Sequence, residues 1–247
     1  MIKNKDIIIQ YAKAYNNKEF IDSDPIRFPH KYKKKKDIEI SAFISSWLAY
    51  GNRKTIITTI EKLDQEYQSS PSQYLEHREY KKYKNSSKTL YRFYKENDYY
   101  LLMDRLREIY YKEGHPDLES KLNDNHNPNH GQKAILESLI SVFPNLKGIP
   151  KNTLSACKKV NMFLRWMTRN DGIVDLGIWN SFSPSQLIIP LDTHSFRIAK
   201  QLELTSKNTA NMVAAIEVSN KLSKIFPNDP CLGDFALFGY GVNNKRD

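Results

Sequence analysis

Two kinds of side chain in this sequence have types and surroundings suited to chemistry. The first is a carboxylate. In "LIIPLDTHSFRIAKQLEL", Leu187 to Leu204, an apolar run stops at Pro190, and Asp192 stands between that run and Thr193, His194 and Ser195. Phe196, Ile198, Ala199 and Leu202 follow at helical spacing, so Asp192 sits where an N-cap is expected, worth about 1 kcal/mol. Composition and spacing take Asp192 no further than this cap. The second is a lysine pair, Lys158 and Lys159, in "LSACKKVNMFLRWMTRND". A helical wheel puts Val160, Met162, Phe163, Leu164, Trp166 and Met167 on a broad buried arc, with Lys159 inside it. Lys158, Asn161, Arg165 and Arg169 fall on the other side. Both lysines lie in the first turn, near the positive end of the helix dipole and beside each other, which disfavours the ammonium form. A neutral lysine attacks an electrophilic carbon and forms a Schiff base. Two lysines that simply meet solvent or phosphate are the competing reading of the same pattern.

Other chemistries find little footing. His115, His126 and His130 share no regular ligand spacing on one element, so no metal site is expected. The "GYGV" stretch, Gly239 to Val242, follows a helix instead of opening one, and no phosphate-cradling or Ser-nucleophile motif occurs. Cys157 and Cys231 are too few for a disulfide scaffold, a four-thiolate zinc site or a self-contained iron-sulfur cluster, and they read as buried, inert thiols of a reducing compartment. No cofactor is expected. No segment approaches the roughly 20 apolar residues that span a bilayer, so the expectation is a cytosolic protein without a membrane partner.

The elements that must position these groups are helices. Apolar residues recur at three- and four-residue spacing over 5–16, 37–50, 53–67, 88–111, 132–143, 154–169, 193–203, 208–225 and 230–239. No hairpin or alternating strand series stands out, so the expected class is all-α. The weakly patterned stretch from Glu113 to Gln132 reads as a long loop joining two lobes, 37–112 and 132–247, of a single domain spanning 1–247. The helix at 5–16 is expected to pack on either lobe.

Charge adds a partner class. The 247 residues carry 38 Lys and Arg against 28 Asp and Glu, a net +10. Such an excess favours polyanions through counterion release, although lysine-rich composition alone produces it too. The clusters "HKYKKKKD", His30 to Asp37, and "HREYKKYKNSSKTLYRFYK", His77 to Lys95, interleave lysines with Tyr80, Tyr83, Tyr91 and Tyr94. Lysines there can meet phosphates while aromatic faces stack on bases, or the clusters are solvated loops and a helix face.

The stretch "IIPLDTHSFRIAKQLEL" resembles the segment that supplies the catalytic aspartate in the helix-hairpin-helix DNA glycosylase superfamily, which includes relatives of endonuclease III and 8-oxoguanine glycosylase. Three further stretches come in compatible order. "AFISSWLAYGNRKTI" looks like the early helix with its polar turn, "SACKKVNMFLRWM" like the helix after the hairpin, and "DPCLGDFALFGYG" like the closing helix. The whole chain looks like a bacterial conserved-hypothetical family, a distant branch of that superfamily. The resemblance implies a two-lobed helical domain of glycosylase type. It matches Asp192 to the catalytic aspartate and Lys158 to the lysine of the Gly-x-Gly-x-Lys-Thr-Ala hairpin, with Lys159 as runner-up. The match departs from the pattern where Leu154 and Ala156 replace the hairpin glycines.

What the resemblance implies is excision of a damaged base from duplex DNA, with strand cleavage after base loss, by a monomer. A flipped base would enter an aromatic pocket, for which Trp47, Tyr50, Trp166 and Trp179 are candidate walls. An ionised Asp192 would stabilise positive charge on the deoxyribose, and Lys158 would attack the sugar carbon. Ser155, Ala156, Lys159, Arg165, His194 and Arg197 are the candidate DNA contacts. Two other classes remain open: a nucleic-acid-binding relative without the chemistry, and a helical protein-interaction module.

Overall fold

A computed structural model describes residues 4–244; positions 245–247, the end of the expected second lobe, lie outside the described residues. The chain is predominantly helical. In order it forms α1 (Lys5–Tyr15), α2 (Glu19–Ser23), α3 (Lys35–Leu48), α4 (Arg53–Glu66), α5 (Pro71–Glu76), a hairpin of β1 (Thr89–Tyr91) and β2 (Tyr94–Lys95), α6 (Glu96–Tyr111), α7 (Leu118–Asp124), α8 (Ala134–Val142), α9 (Lys158–Thr168), α10 (Thr193–Gln201), α11 (Met212–Ser223) and α12 (Leu232–Asn243). Among the described residues, no helix is long and apolar enough to cross a membrane.

The residues divide into two compact units. One comprises Met1–Ser23, Pro128–Glu137 and Asn152–Asp247; the other comprises Asp24–Asn127 and Ser138–Lys151. The division differs from the expected lobes at 138–151, which belong with the earlier part of the chain. The chain passes from one unit to the other at Asn127/Pro128, inside the weakly patterned stretch, and again on either side of 138–151.

In the unit built on Asp24–Asn127, α3 is the central element. Ile38, Ile40, Phe43, Ile44, Trp47 and Leu48 are all buried. Its two acids, Asp37 and Glu39, are also buried, and they serve other segments. The Asp37 carboxylate accepts from the Ser72 amide at 2.7 Å, and Glu39 accepts from the Tyr110 hydroxyl at 2.7 Å and the Leu118 amide at 2.9 Å. The Leu118 amide opens α7, a helix inside the stretch that reads as loop. Asp117 caps it by accepting from the Ser120 amide at 2.8 Å. A two-turn helix with only Leu118 and Leu122 on its apolar face is too short to show periodicity, and burial of those residues decides it.

A second correction falls at residues 88–95, expected as the start of a helix. They form an antiparallel hairpin in which Tyr91 pairs with Tyr94 across Arg92 and Phe93. The sequence carries no signal for it, because the two-residue turn contains no Gly, Asn or Asp. Arg92 itself takes the left-handed conformation, φ 49°.

In the other unit, α1 packs along α12. Tyr11 meets Tyr240 and Tyr15 meets Phe238 edge to face, with ring centroids 5.7 Å apart in each pair. The approach is so close that a Cβ on Gly239 would lie 2.2 Å from the Tyr15 ring. Two residues on, a Cβ on Gly241 would lie 2.7 Å from His194 Nε2, so α10 crosses α12 at a second bare-backbone position. This explains why α12 continues through the "GYGV" stretch, expected to lie beyond the helix.

Candidate functional site

The polar side of α9 is internal, not solvated. Arg165 is 3% exposed and Arg169 1%, and Asn161 is buried. Arg165 Nε donates to Asp175 Oδ1 at 3.2 Å while its Nη1 pairs with Asp234. Arg169 Nη1 lies 2.9 Å from Asp175 Oδ2 and 2.8 Å from Asp171, and its Nε lies 2.8 Å from Asp229. Asp175 thus bridges two guanidiniums. Periodicity cannot reveal this, since a wheel sees only charged types, and the carboxylates that cover them arrive from other segments. Arg165, expected as a DNA contact, is therefore a buried ion-pair residue.

The turn before α9 is tightly held without glycine. Cys157 takes the left-handed conformation at the N-cap, φ 48°, and the Asn161 side chain donates to the Ala156 carbonyl at 3.0 Å. Ser155 bridges to Asn211, and the Met212 amide donates to the Leu154 carbonyl at 3.3 Å. Burial pushes the Cys157 thiol up, and pushes that of Cys231 well up. Of the expected DNA contacts here, Ser155 is exposed and Ala156 is buried.

Asp192 caps α10 as expected. Its Oδ1 accepts from the Ser195 amide at 2.8 Å and the Ser195 hydroxyl at 3.0 Å, while its own amide donates to Ser195 Oγ at 2.8 Å. All of the bonds its carboxylate accepts here use Oδ1, and the residue is exposed. His194 and Arg197 are exposed beside it, with Arg197 Nη2 3.3 Å from His194 Nδ1.

Asp234, in the first turn of α12, draws the pieces together. Its side chain is 21% accessible. Burial pushes its carboxyl up to about 6; Arg165 and Lys158 pull it down, while Asp192 and Asp175 push it up further. The charges of Lys158 and Asp192 thus both act on one carboxyl, which Arg165 holds in place. A neutral lysine amine can act as a nucleophile, and a carboxylate can accept a proton and stabilise a cation. Sequence reasoning missed Asp234 because an acid in a first turn reads simply as a complement to the helix dipole.

Lys159 is half-buried. Burial, and secondarily the neighbouring Lys158 charge, lowers its amine to about 8. In the unfolded chain the amine titrates near 10.5. Between those values the unfolded state binds the extra proton, so this group adds stability as pH rises through the window. Lys159→Met is expected to stabilise the fold by about 2 kcal/mol at pH 7. The gain should disappear near pH 10.5, as urea titrations of both chains at the two pH values would read.

The expected pocket walls are otherwise placed. Trp47, Trp166 and Trp179 are core side chains: Trp47 packs against Tyr94 with ring centroids 4.1 Å apart and donates to the Lys147 carbonyl, Trp179 meets Phe163 and Phe182, and Trp166 is fully buried. Indole rings supply so much apolar area that the interior claims them. Tyr50 alone of the four is exposed. Among the described residues, no group of His, Cys, Asp or Glu is arranged to hold a metal ion.

Residues 24–243 match the model of the family described as "Protein of unknown function (DUF2400)", and the chain belongs to that family. No curated protein and no solved structure matches it.

Proposed function

We propose that this DUF2400 protein is a DNA glycosylase with lyase activity, of helix-hairpin-helix type, acting on a damaged base in duplex DNA. The observation that carries the reading is the meeting of three helices within one unit: α9 reaches α12 through the Arg165–Asp234 ion pair, and α10 closes on α12 where His194 meets Gly241, so the helices that bear Lys158 and Asp192 share one neighbour. Three elements distant in sequence, α9, α10 and α12, contribute one side chain each. The Lys158 nitrogen attacks C1′ of the deoxyribose, and the bond to the base breaks with its electron pair leaving on the base. Asp192 stabilises the positive charge that builds on the sugar and accepts the proton released by the attacking amine. Sugar-ring opening then yields the iminium, from which strand cleavage proceeds by elimination.

A second reading, DNA binding without chemistry, is favoured by one observation. Leu154, where the family pattern has glycine, is 77% exposed. The glycosylase pattern relies on bare backbone at this position to donate to a phosphate, and here the chain carries an exposed side chain instead. The two readings separate in one assay. Borohydride added with duplexes carrying 8-oxoguanine, uracil, an alkylated base or an abasic site reduces an iminium to a stable amine. A covalent adduct is expected, abolished in Lys158→Ala and retained in Lys159→Ala. If no duplex traps but binding falls steeply with salt, the binding-only reading replaces ours. Loss in Lys159→Ala alone would move the nucleophile to Lys159.

A further inference from the structure

The unit built on Asp24–Asn127 exposes an ordered aromatic and cationic cluster that the chemistry at Lys158 and Asp192 leaves unused. Tyr50 is 51% exposed and Phe93 46%, and their rings meet edge to face at 5.5 Å. Arg92, beside Phe93 in the hairpin turn, lays its guanidinium 5.1 Å from the Tyr50 ring centroid. Large rings left in water forfeit the burial that normally justifies them. These are also fixed in place. The Tyr91 hydroxyl donates to the Tyr50 carbonyl at 2.6 Å, the Tyr94 hydroxyl to the Trp47 carbonyl at 3.3 Å, and Lys147 Nζ to the Phe93 carbonyl.

The backbone is shaped to the same end. Gly51 has φ 107°, and a Cβ there would stand 2.2 Å from Arg92 Nη1, so only glycine lets the guanidinium lie where it does. Arg92 itself occupies the left-handed region that the two-residue hairpin turn demands, which fixes the direction in which its side chain leaves the backbone. Among the described residues its charge is not spent on a carboxylate: Asp98 pairs with Lys147, and Glu96 accepts from the Ser86 hydroxyl. Lys54 and Lys88 are exposed close by in sequence on either side.

We propose that Tyr50, Arg92 and Phe93 form a stacking platform for unpaired bases of single-stranded nucleic acid. Rings and a guanidinium plane present the faces on which exposed bases stack, and the surplus cations draw the adjoining phosphates. An acidic protein partner would suit the cations but would leave the preorganised rings without a role. The platform is independent of the chemistry at Lys158, because it would bind a strand whether or not a base is excised.

The test is fluorescence anisotropy with a labelled deoxythymidine strand of about 20 nucleotides, and with inorganic polyphosphate as a competitor that has charge but no bases. Phe93→Ala and Tyr50→Ala are each expected to weaken strand binding about 10-fold. Thermal unfolding should stay unchanged, since both side chains are exposed, and the polyphosphate competition constant should stay within about twofold of the parent's. Arg92→Lys, which keeps the charge and loses the plane, should also weaken the strand. Strand binding at the parent affinity in both alanine variants would overturn the proposal. An equal loss against polyphosphate would overturn it as well, since the cluster would then act by charge alone.

Discussion

On the proposed glycosylase reading, Asp192→Asn is expected to leave the fold as stable as the parent and to lower base excision by about 10²–10⁴-fold. The first half follows from the cap. Asn is as good an N-cap as Asp, and its side-chain oxygen can accept the bonds from the Ser195 amide and hydroxyl that Oδ1 now accepts. The second half follows from the charge. An amide is neutral, so it neither offsets a cation developing on the sugar nor takes a proton from the attacking amine. Asp192→Ala loses the cap as well and should cost about 1 kcal/mol of stability in addition. Thermal unfolding and single-turnover cleavage, on the duplex that traps at Lys158, read the two halves separately. Full activity in the Asn variant would reduce Asp192 to a cap.

Asp175→Ala destabilises the unit that holds α9 by about 3–5 kcal/mol. Its side chain has no accessible surface, and its carboxylate pairs with both Arg165 and Arg169. Without it, Arg165 keeps Asp234, and Arg169 keeps Asp171 and Asp229, but two buried guanidiniums lose the charge set between them. Removing one member of a buried ionic group leaves the others desolvated and uncompensated, which costs more than the intact group contributes. Asp175→Asn preserves shape and should fall in between. Urea midpoints of the three chains check the order. Arg165 also steadies Asp234, so the same substitution should blunt trapping even at temperatures where the chain remains folded.

Helices long enough to repeat their apolar pattern are legible in the order of residues alone. The expected spans at 5–16, 53–67 and 193–203 correspond to α1, α4 and α10 within two residues at each end. Local interactions suffice there: an N-cap such as Asn52 or Asp192, followed by a single apolar stripe. Where local information runs short, the expectation fails. The hairpin at Arg92 has no turn residue to announce it, and α7 is too brief for a period. A wheel for α9 assigns Asn161, Arg165 and Arg169 to water because it carries nothing about what covers them.

The candidate site divides along the same line. Asp192 as a cap, and the lysine pair at the start of a helix, follow from residues adjacent in the chain, since capping and the helix dipole act over one turn. That Asp234 joins them, that Arg165 holds it, and that three tryptophans are spent on the interior follow from contacts between residues tens of positions apart. Gly239 and Gly241 show the physical reason. The bare backbone at these positions lets α1 and α10 close on α12, and the pairing of Arg165 in α9 with Asp234 then ties the first turn of α12 to α9. Charge type and period are local properties of a chain; burial, and the partner each charge meets, are properties of the fold.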